Sequence, residues 1–84
     1  MTYKIRITHR AKKDIDKLSP ALKKKLKEIL TEIISHQPYH GKKLIGDLAD
    51  SYSHRLTYKD RIVYSIDEAQ GVVYLERART HYDD

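Results

Sequence analysis

The 84-residue sequence predicts a single α+β domain in which a two-helix hairpin packs on one face of a twisted antiparallel sheet, in the order β-α-α-β-β-β. Three observations carry this prediction. Leu22, Leu26, Ile29, Leu30, Ile33 and Ile34 recur at the spacing of one helix face. Tyr3, Ile5 and Ile7 alternate with Lys4, Arg6 and Thr8, the period of a half-buried strand. Three β-like runs, 52–58, 61–66 and 72–77, are joined by connections so short that they must pair as antiparallel neighbours.

In chain order, the first strand gives way at Thr8, a residue suited to capping a helix. Ala11, Ile15 and Leu18 then mark a short amphipathic helix over 9–18. Ser19-Pro20 supplies the N-cap and first turn of the second helix, whose apolar stripe is opposed and flanked by Lys23, Lys24, Lys25 and Lys27. Gln37-Pro38 and His40-Gly41 end it, and a connecting stretch, 44–50, leads into the β-like runs. If the first hairpin turns about Tyr58, Arg55 lies opposite Arg61 and Ser53 opposite Val63, with Tyr52, His54 and Leu56 on the reverse side. Two arginines facing each other repel, which marks the pair as a phosphate clamp, unless carboxylates such as Asp50, Asp60 or Glu68 neutralise each one.

Composition narrows the function. A chain of this length has no room for two-domain enzymes or large cofactor folds. With seven tyrosines but no Phe or Trp, tyrosine must help fill the core. The absence of cysteine excludes disulfides, thiolate metal sites and a cysteine nucleophile. The opening MTYKIRITHRAKKDIDKL carries charges throughout, and no run approaches a membrane span, so a cytoplasmic protein with no membrane partner is expected. The net charge of +5 is unevenly distributed: residues 1–43 hold twelve Lys or Arg against four acids, residues 44–84 five against eight. So basic a half favours a polyanion such as RNA, although lysine-rich helix faces are often simply solvated.

Near the C-terminus Arg79, His81 and Tyr82 bring together a permanent cation, a group that titrates near neutrality and a phenol. These are the functions needed to cleave RNA by attack of the ribose 2′-hydroxyl. His9 and His36 fall at helix ends and His40 in a loop, while His54 faces the core beside Ile62 or, one register away, the arginines. The five histidines show no metal-ligand spacing and no Gly-rich phosphate loop occurs, so neither metal nor cofactor is expected.

Taken together, Lys43-Leu44-Ile45-Gly46-Asp47-Leu48, Tyr52-Ser53-His54-Arg55-Leu56-Thr57, Asp60-Arg61-Ile62-Val63-Tyr64 and Arg79-Thr80-His81-Tyr82 resemble the RelE/ParE toxin superfamily, and most closely its YoeB (Txe) branch of mRNA interferases. The resemblance spans nearly the whole chain. It implies a toxin of a type II toxin-antitoxin system: an endoribonuclease, independent of metal, that cuts mRNA in the A site of the 70S ribosome and is silenced by a cognate antitoxin, acidic and partly disordered when free. A homodimer is a further possible partner state. By position, Arg61 matches the family's arginine at the scissile phosphate, Arg55 a basic residue one strand away, and His81 with Tyr82 the C-terminal catalytic pair. Where the YoeB pattern has a glutamate as general base, this chain offers Lys42, Lys43 or Asp47 instead. The RelE branch works with lysines and arginines in place of that carboxylate. Lys12, Lys13, Lys23, Lys24, Lys25, Lys27, Lys42, Lys43 and Arg79 are the expected RNA and ribosome contacts. The alternatives are a ParE-like gyrase inhibitor and a non-catalytic binding member of the same fold.

Overall fold

In the computed structural model, which describes residues 2–44 and 51–80 and side chains as far as residue 78, the first strand, β1 (Lys4–Ile7), runs straight into a capped helix. Thr8 joins the two. Its hydroxyl accepts from the Ala11 amide at 3.2 Å, as an N-cap does, and donates to the Leu75 carbonyl at 2.7 Å, which ties the cap to the sheet. Helix α1 (His9–Asp16) is followed by α2 (Pro20–Glu28), which Ser19 caps through the Leu22 amide. The second helix continues as a wider π turn over Ile29–Ile34, closed by the Ser35 amide donating to Leu30 five residues back. The Thr31 and Ser35 hydroxyls donate back to the Lys27 and Thr31 carbonyls along the same stretch.

A short 3-10 turn at Pro38–His40 leads to β2 (Lys42–Lys43); β3 (Ser51–Arg55), β4 (Arg61–Asp67) and β5 (Val72–Thr80) complete the sheet, in the order β1-β5-β4-β3-β2. The expected α+β architecture is present, with one pairing of a different sense. β1 runs parallel to β5, so the sheet is mixed rather than antiparallel throughout. Short loops force antiparallel pairing only on strands they connect directly, whereas β1 and β5 are separated by most of the chain. β2 is an additional strand, and β3 stops at Arg55 because residues 56–60 form the turn.

The core lies between the helices and one sheet face. Leu26, Ile29, Leu30 and Ile34 of the second helix, with Ala11 and Leu18, pack against Leu56, Ile62, Tyr64, Val73, Leu75 and Ala78. Two register shifts between β4 and β5, flanking Val63, bring both Leu75 and Ala78 under the helices and leave Arg61 opposite Thr80. Asp14 locks α1 to that irregular stretch by accepting from Arg77 Nε at 2.8 Å, Arg77 Nη2 at 3.3 Å and the Ala78 amide at 3.1 Å. Among the described residues, no helix is long and apolar enough to cross a membrane.

Candidate functional site

The β3–β4 hairpin has the register read from the sequence: Arg55 pairs with Arg61, His54 with Ile62, Ser53 with Val63 and Tyr52 with Tyr64. The turn is built for rigidity. The amides of Leu56 and Thr57 donate to the Asp60 carbonyl, while Thr57 Oγ1 accepts from the amides of Lys59 and Asp60. Paired residues project to the same side of a sheet, so Arg55 and Arg61 stand together on the face turned from the helices. Arg55 is exposed and Arg61 half-buried.

β2 pairs Lys42 with Ser53, which adds Lys42 to the arginine face, whereas Lys43, opposite Tyr52, belongs to the other. The placement of β2 depends on a buried tyrosine. Tyr64, fully buried, donates from its hydroxyl to the Pro38 carbonyl at 2.6 Å and accepts from the Gly41 amide at 3.2 Å. Burial pushes this phenol up to about 12, against the opposing pull of the Gly41 bond. A side chain at position 41 would collide with the same hydroxyl and come within 2.7 Å of the Ser53 carbonyl, so glycine is required there by lack of space.

A second tyrosine cluster pins the same segment from outside. Tyr39 and Tyr3 both donate to the Glu68 carboxylate, the latter at 2.7 Å. These bonds raise Tyr39 to about 12 and hold Glu68 below its ordinary range. Tyr39 packs edge-on against Tyr52 at 5.6 Å, and Tyr52 stacks on Tyr64 at 5.9 Å. His54 shares the face with Tyr52, away from the arginines; its Nδ1 donates to the Arg55 carbonyl at 3.0 Å and its ring lies 6.0 Å from that of His40.

The remaining candidate residues separate into two groups. Lys12, Lys13, Lys23, Lys24, Lys25 and Lys27 are all exposed, but on the helices, across the molecule from Arg55 and Arg61. Lys23 and Lys27 border a groove of about 340 Å³ between α2 and β1, lined by Ile5, Ile7, Ile15, Leu26, Leu30 and Thr31. The Arg79 side chain, His81, Tyr82 and Asp47 lie outside the described residues. Thr80, opposite Arg61, is the last described residue of β5.

Sequence reasoning missed the other occupants of the arginine face. Lys4 and Arg6 pair with Val72 and Tyr74, and Glu76 accepts from the Ser65 hydroxyl at 3.0 Å. The alternation of β1 indicates that Lys4 and Arg6 share a side, but only the β1–β5 pairing identifies that side with the arginines. Among the described residues, no group of three or more His, Asp or Glu could hold a metal ion.

A family of ParE-like toxins of type II bacterial toxin-antitoxin systems matches residues 5–83. In three dimensions the chain is similar to a chain of the RelBE2 toxin-antitoxin complex of Mycobacterium tuberculosis, with 30% identity, a TM-score of 0.86 and coverage of 100% of this chain and 95% of that one. It is also similar to E. coli toxin RelE in the free state (26% identity, TM-score 0.77, 92% and 81% covered). The YoeB dimer of Staphylococcus aureus shares the fold at 23% identity (TM-score 0.80, 98% and 100% covered). No protein of curated function matches the sequence. With the α+β fold and nearly the full length in common, the chain belongs to the ParE-like family of type II toxins within the RelE/ParE superfamily.

Proposed function

We propose that this toxin is a ribosome-dependent endoribonuclease that cleaves mRNA in the A site without a metal ion. The observation that carries the reading is the cross-strand pair Arg55–Arg61, joined on its face by Lys42 and lying beside the end of β5. Three cations converge on a small area, and an anionic group between them would relieve their repulsion. Thr80 is the residue opposite Arg61, and His81 follows it directly in the sequence, which supports assigning His81 to the clamp.

In the proposed reaction a base takes the proton of the ribose 2′-hydroxyl and the 2′-oxygen attacks phosphorus. Arg61 and Arg55, with Lys42, stabilise the charge of the resulting phosphorane. An acid then protonates the departing 5′-oxygen, giving a 2′,3′-cyclic phosphate and a 5′-hydroxyl. His81 serves as acid or base, and Tyr82 orients the substrate. Of the three residues that could stand in for the YoeB glutamate, Lys42 is placed on the arginine face and Lys43 is not. The exposed helix lysines, Lys12, Lys13, Lys23, Lys24, Lys25 and Lys27, dock the domain on ribosomal RNA, and Arg79 adds a contact near the site.

The partner that silences the toxin is a cognate antitoxin, as in the RelBE2 complex and the YoeB-YefM complex of S. aureus. An acidic, amphipathic antitoxin segment fits the lysine-bordered apolar groove between α2 and β1. The ParE-like description of the matched family supports a second reading, inhibition of gyrase through a protein-binding surface. Induction of the toxin distinguishes them: cuts within translated messages ending in cyclic phosphate support the nuclease, whereas supercoiling defects with intact messages overturn it.

A further inference from the structure

The sheet face that carries Arg55 and Arg61 continues across to the opposite edge of the molecule. Lys4 pairs with Val72, itself opposite Asp67; Arg6 pairs with Tyr74, itself opposite Ser65, which is opposite Ser51. The side chains of Lys4, Arg6, Tyr74, Ser65, Lys42, Arg55 and Arg61 therefore share one face. Among the described residues, Lys4, Arg6, Lys42, Arg55 and Arg61 stand on it with the carboxylates Asp67 and Glu76. Both carboxylates already accept a hydrogen bond, Asp67 from the Gln70 amide and Glu76 from Ser65, while Arg77, opposite Val63, is ion-paired with Asp14. Lys4 and Arg6 are exposed, and neither forms an ion pair with a described carboxylate. Between the cations of β1 and the Arg55–Arg61 pair stands Tyr74 of β5, half-buried and on the same face.

We propose that Lys4, Arg6 and Tyr74 form a second binding subsite, for the backbone and one base of single-stranded RNA that runs across the sheet from the Arg55–Arg61 clamp. This inference rests on the nuclease reading and deepens it by setting how much RNA the face holds. From Arg61 to Arg6 the path crosses two strand spacings and four residues, about 16 Å. At roughly 3.4 Å per stacked nucleotide, and more when unstacked, that is about three to five nucleotides. Cations at both ends with an aromatic ring between are what a single strand requires: charge for phosphates and a flat surface for a base. A lone phosphate group would need only one end. An acidic protein segment would use the cations but gains little from the intervening Tyr74.

The test uses the full chain and uncleavable 2′-O-methyl uridine oligonucleotides, a dinucleotide and a hexanucleotide, with binding followed by fluorescence anisotropy at several salt concentrations. The hexanucleotide should bind more tightly than the dinucleotide to the wild type. Lys4→Gln/Arg6→Gln should remove most of that advantage, leave dinucleotide binding unchanged, and flatten the hexanucleotide's log–log salt slope by about 1.4, two phosphate contacts at about 0.7 each. Tyr74→Leu should weaken the hexanucleotide severalfold, and Tyr74→Phe should restore it. A wild-type advantage for the hexanucleotide that survives both variants overturns this subsite and leaves the clamp standing. Failure of the wild type to bind either oligonucleotide overturns the subsite together with the RNA reading of the face. Capture of an acidic peptide by Lys4 and Arg6, with no hexanucleotide advantage, overturns it in favour of a protein partner.

Discussion

Arg61 is the residue on which the proposed chemistry depends most directly. Removal of one preorganised donor from a developing charge costs about 100- to 1,000-fold in rate, so Arg61→Ala should fall by that factor on programmed ribosomes. His81→Ala should lose a comparable factor, within the ~100- to 10,000-fold that a positioned proton donor or acceptor contributes. Both variants should still sediment with ribosomes; wild-type cleavage by either one contradicts the assignment. Tyr64 makes a prediction about stability instead. Tyr64→Phe leaves the Pro38 carbonyl and the Gly41 amide without their partner, a loss of about 1–3 kcal/mol measurable by urea unfolding. Gly41→Ala should cost a similar amount through overpacking against the same hydroxyl. Tyr39 and Tyr64 also give stability a pH dependence. Their folded pKa values, about 12, lie above the ordinary 10, so their contribution is complete below pH 10 and is lost as pH rises toward 12. Glu68→Gln should lower the Tyr39 part of that alkaline transition in an absorbance titration, because the Glu68 carboxylate is the main cause of the Tyr39 shift. Glu68 acts in the opposite sense: its depressed pKa adds stability above its ordinary 4.5 that disappears as pH falls through the folded value.

At the scale of elements, the hairpin and the second helix divide the work. The hairpin turn fixes the register that brings Arg55 and Arg61 together, and a slip of one residue would send them to opposite faces from their present partners. Helix α2 presents its lysines on the other side of the domain. Lys23→Glu/Lys24→Glu/Lys25→Glu should therefore abolish ribosome association at moderate salt while the circular dichroism spectrum stays unchanged, since all three are exposed. Unaltered co-sedimentation would remove these lysines from the docking surface. Helix α1 has a mainly structural part. Asp14→Ala removes the acceptor shared by Arg77 and the Ala78 amide and should destabilise the fold by about 1–3 kcal/mol in the same urea assay.

Across the whole molecule, two surfaces of different character lie back to back. The sheet face is cationic and polar; the groove between α2 and β1 is apolar with a lysine border. An antitoxin that occupies the groove would block the proposed cleavage at the site itself by also reaching round to the arginine face or displacing the end of β5. In a complex with the cognate antitoxin, Ile5, Ile7 and Leu30 should be protected from solvent along with Arg55 and Arg61, as read by hydrogen exchange and footprinting. Protection of the groove alone, with cleavage still blocked, would point to steric exclusion from the ribosome instead.

Much of this arrangement follows from local sequence. Period-2 and helical spacing identify β1 and the second helix, Thr8 and Ser19 cap where their side chains can reach the next turn, and a turn centred on Tyr58 sets Arg55 opposite Arg61, the register the structure has. These are effects of neighbours within a few residues, which a single chain displays directly. The parallel pairing of β1 with β5, the bulges that set Arg61 opposite Thr80, and the anchoring of β2 by Tyr64 join residues more than twenty, and up to about seventy, positions apart, or depend on how two strands settle under the helices. Only the tertiary structure decides them, because no local preference records which face a distant strand will share. For that reason the Arg55–Arg61 pairing could be read from the sequence, while the fold alone placed Lys4, Arg6 and Tyr74 on the same face.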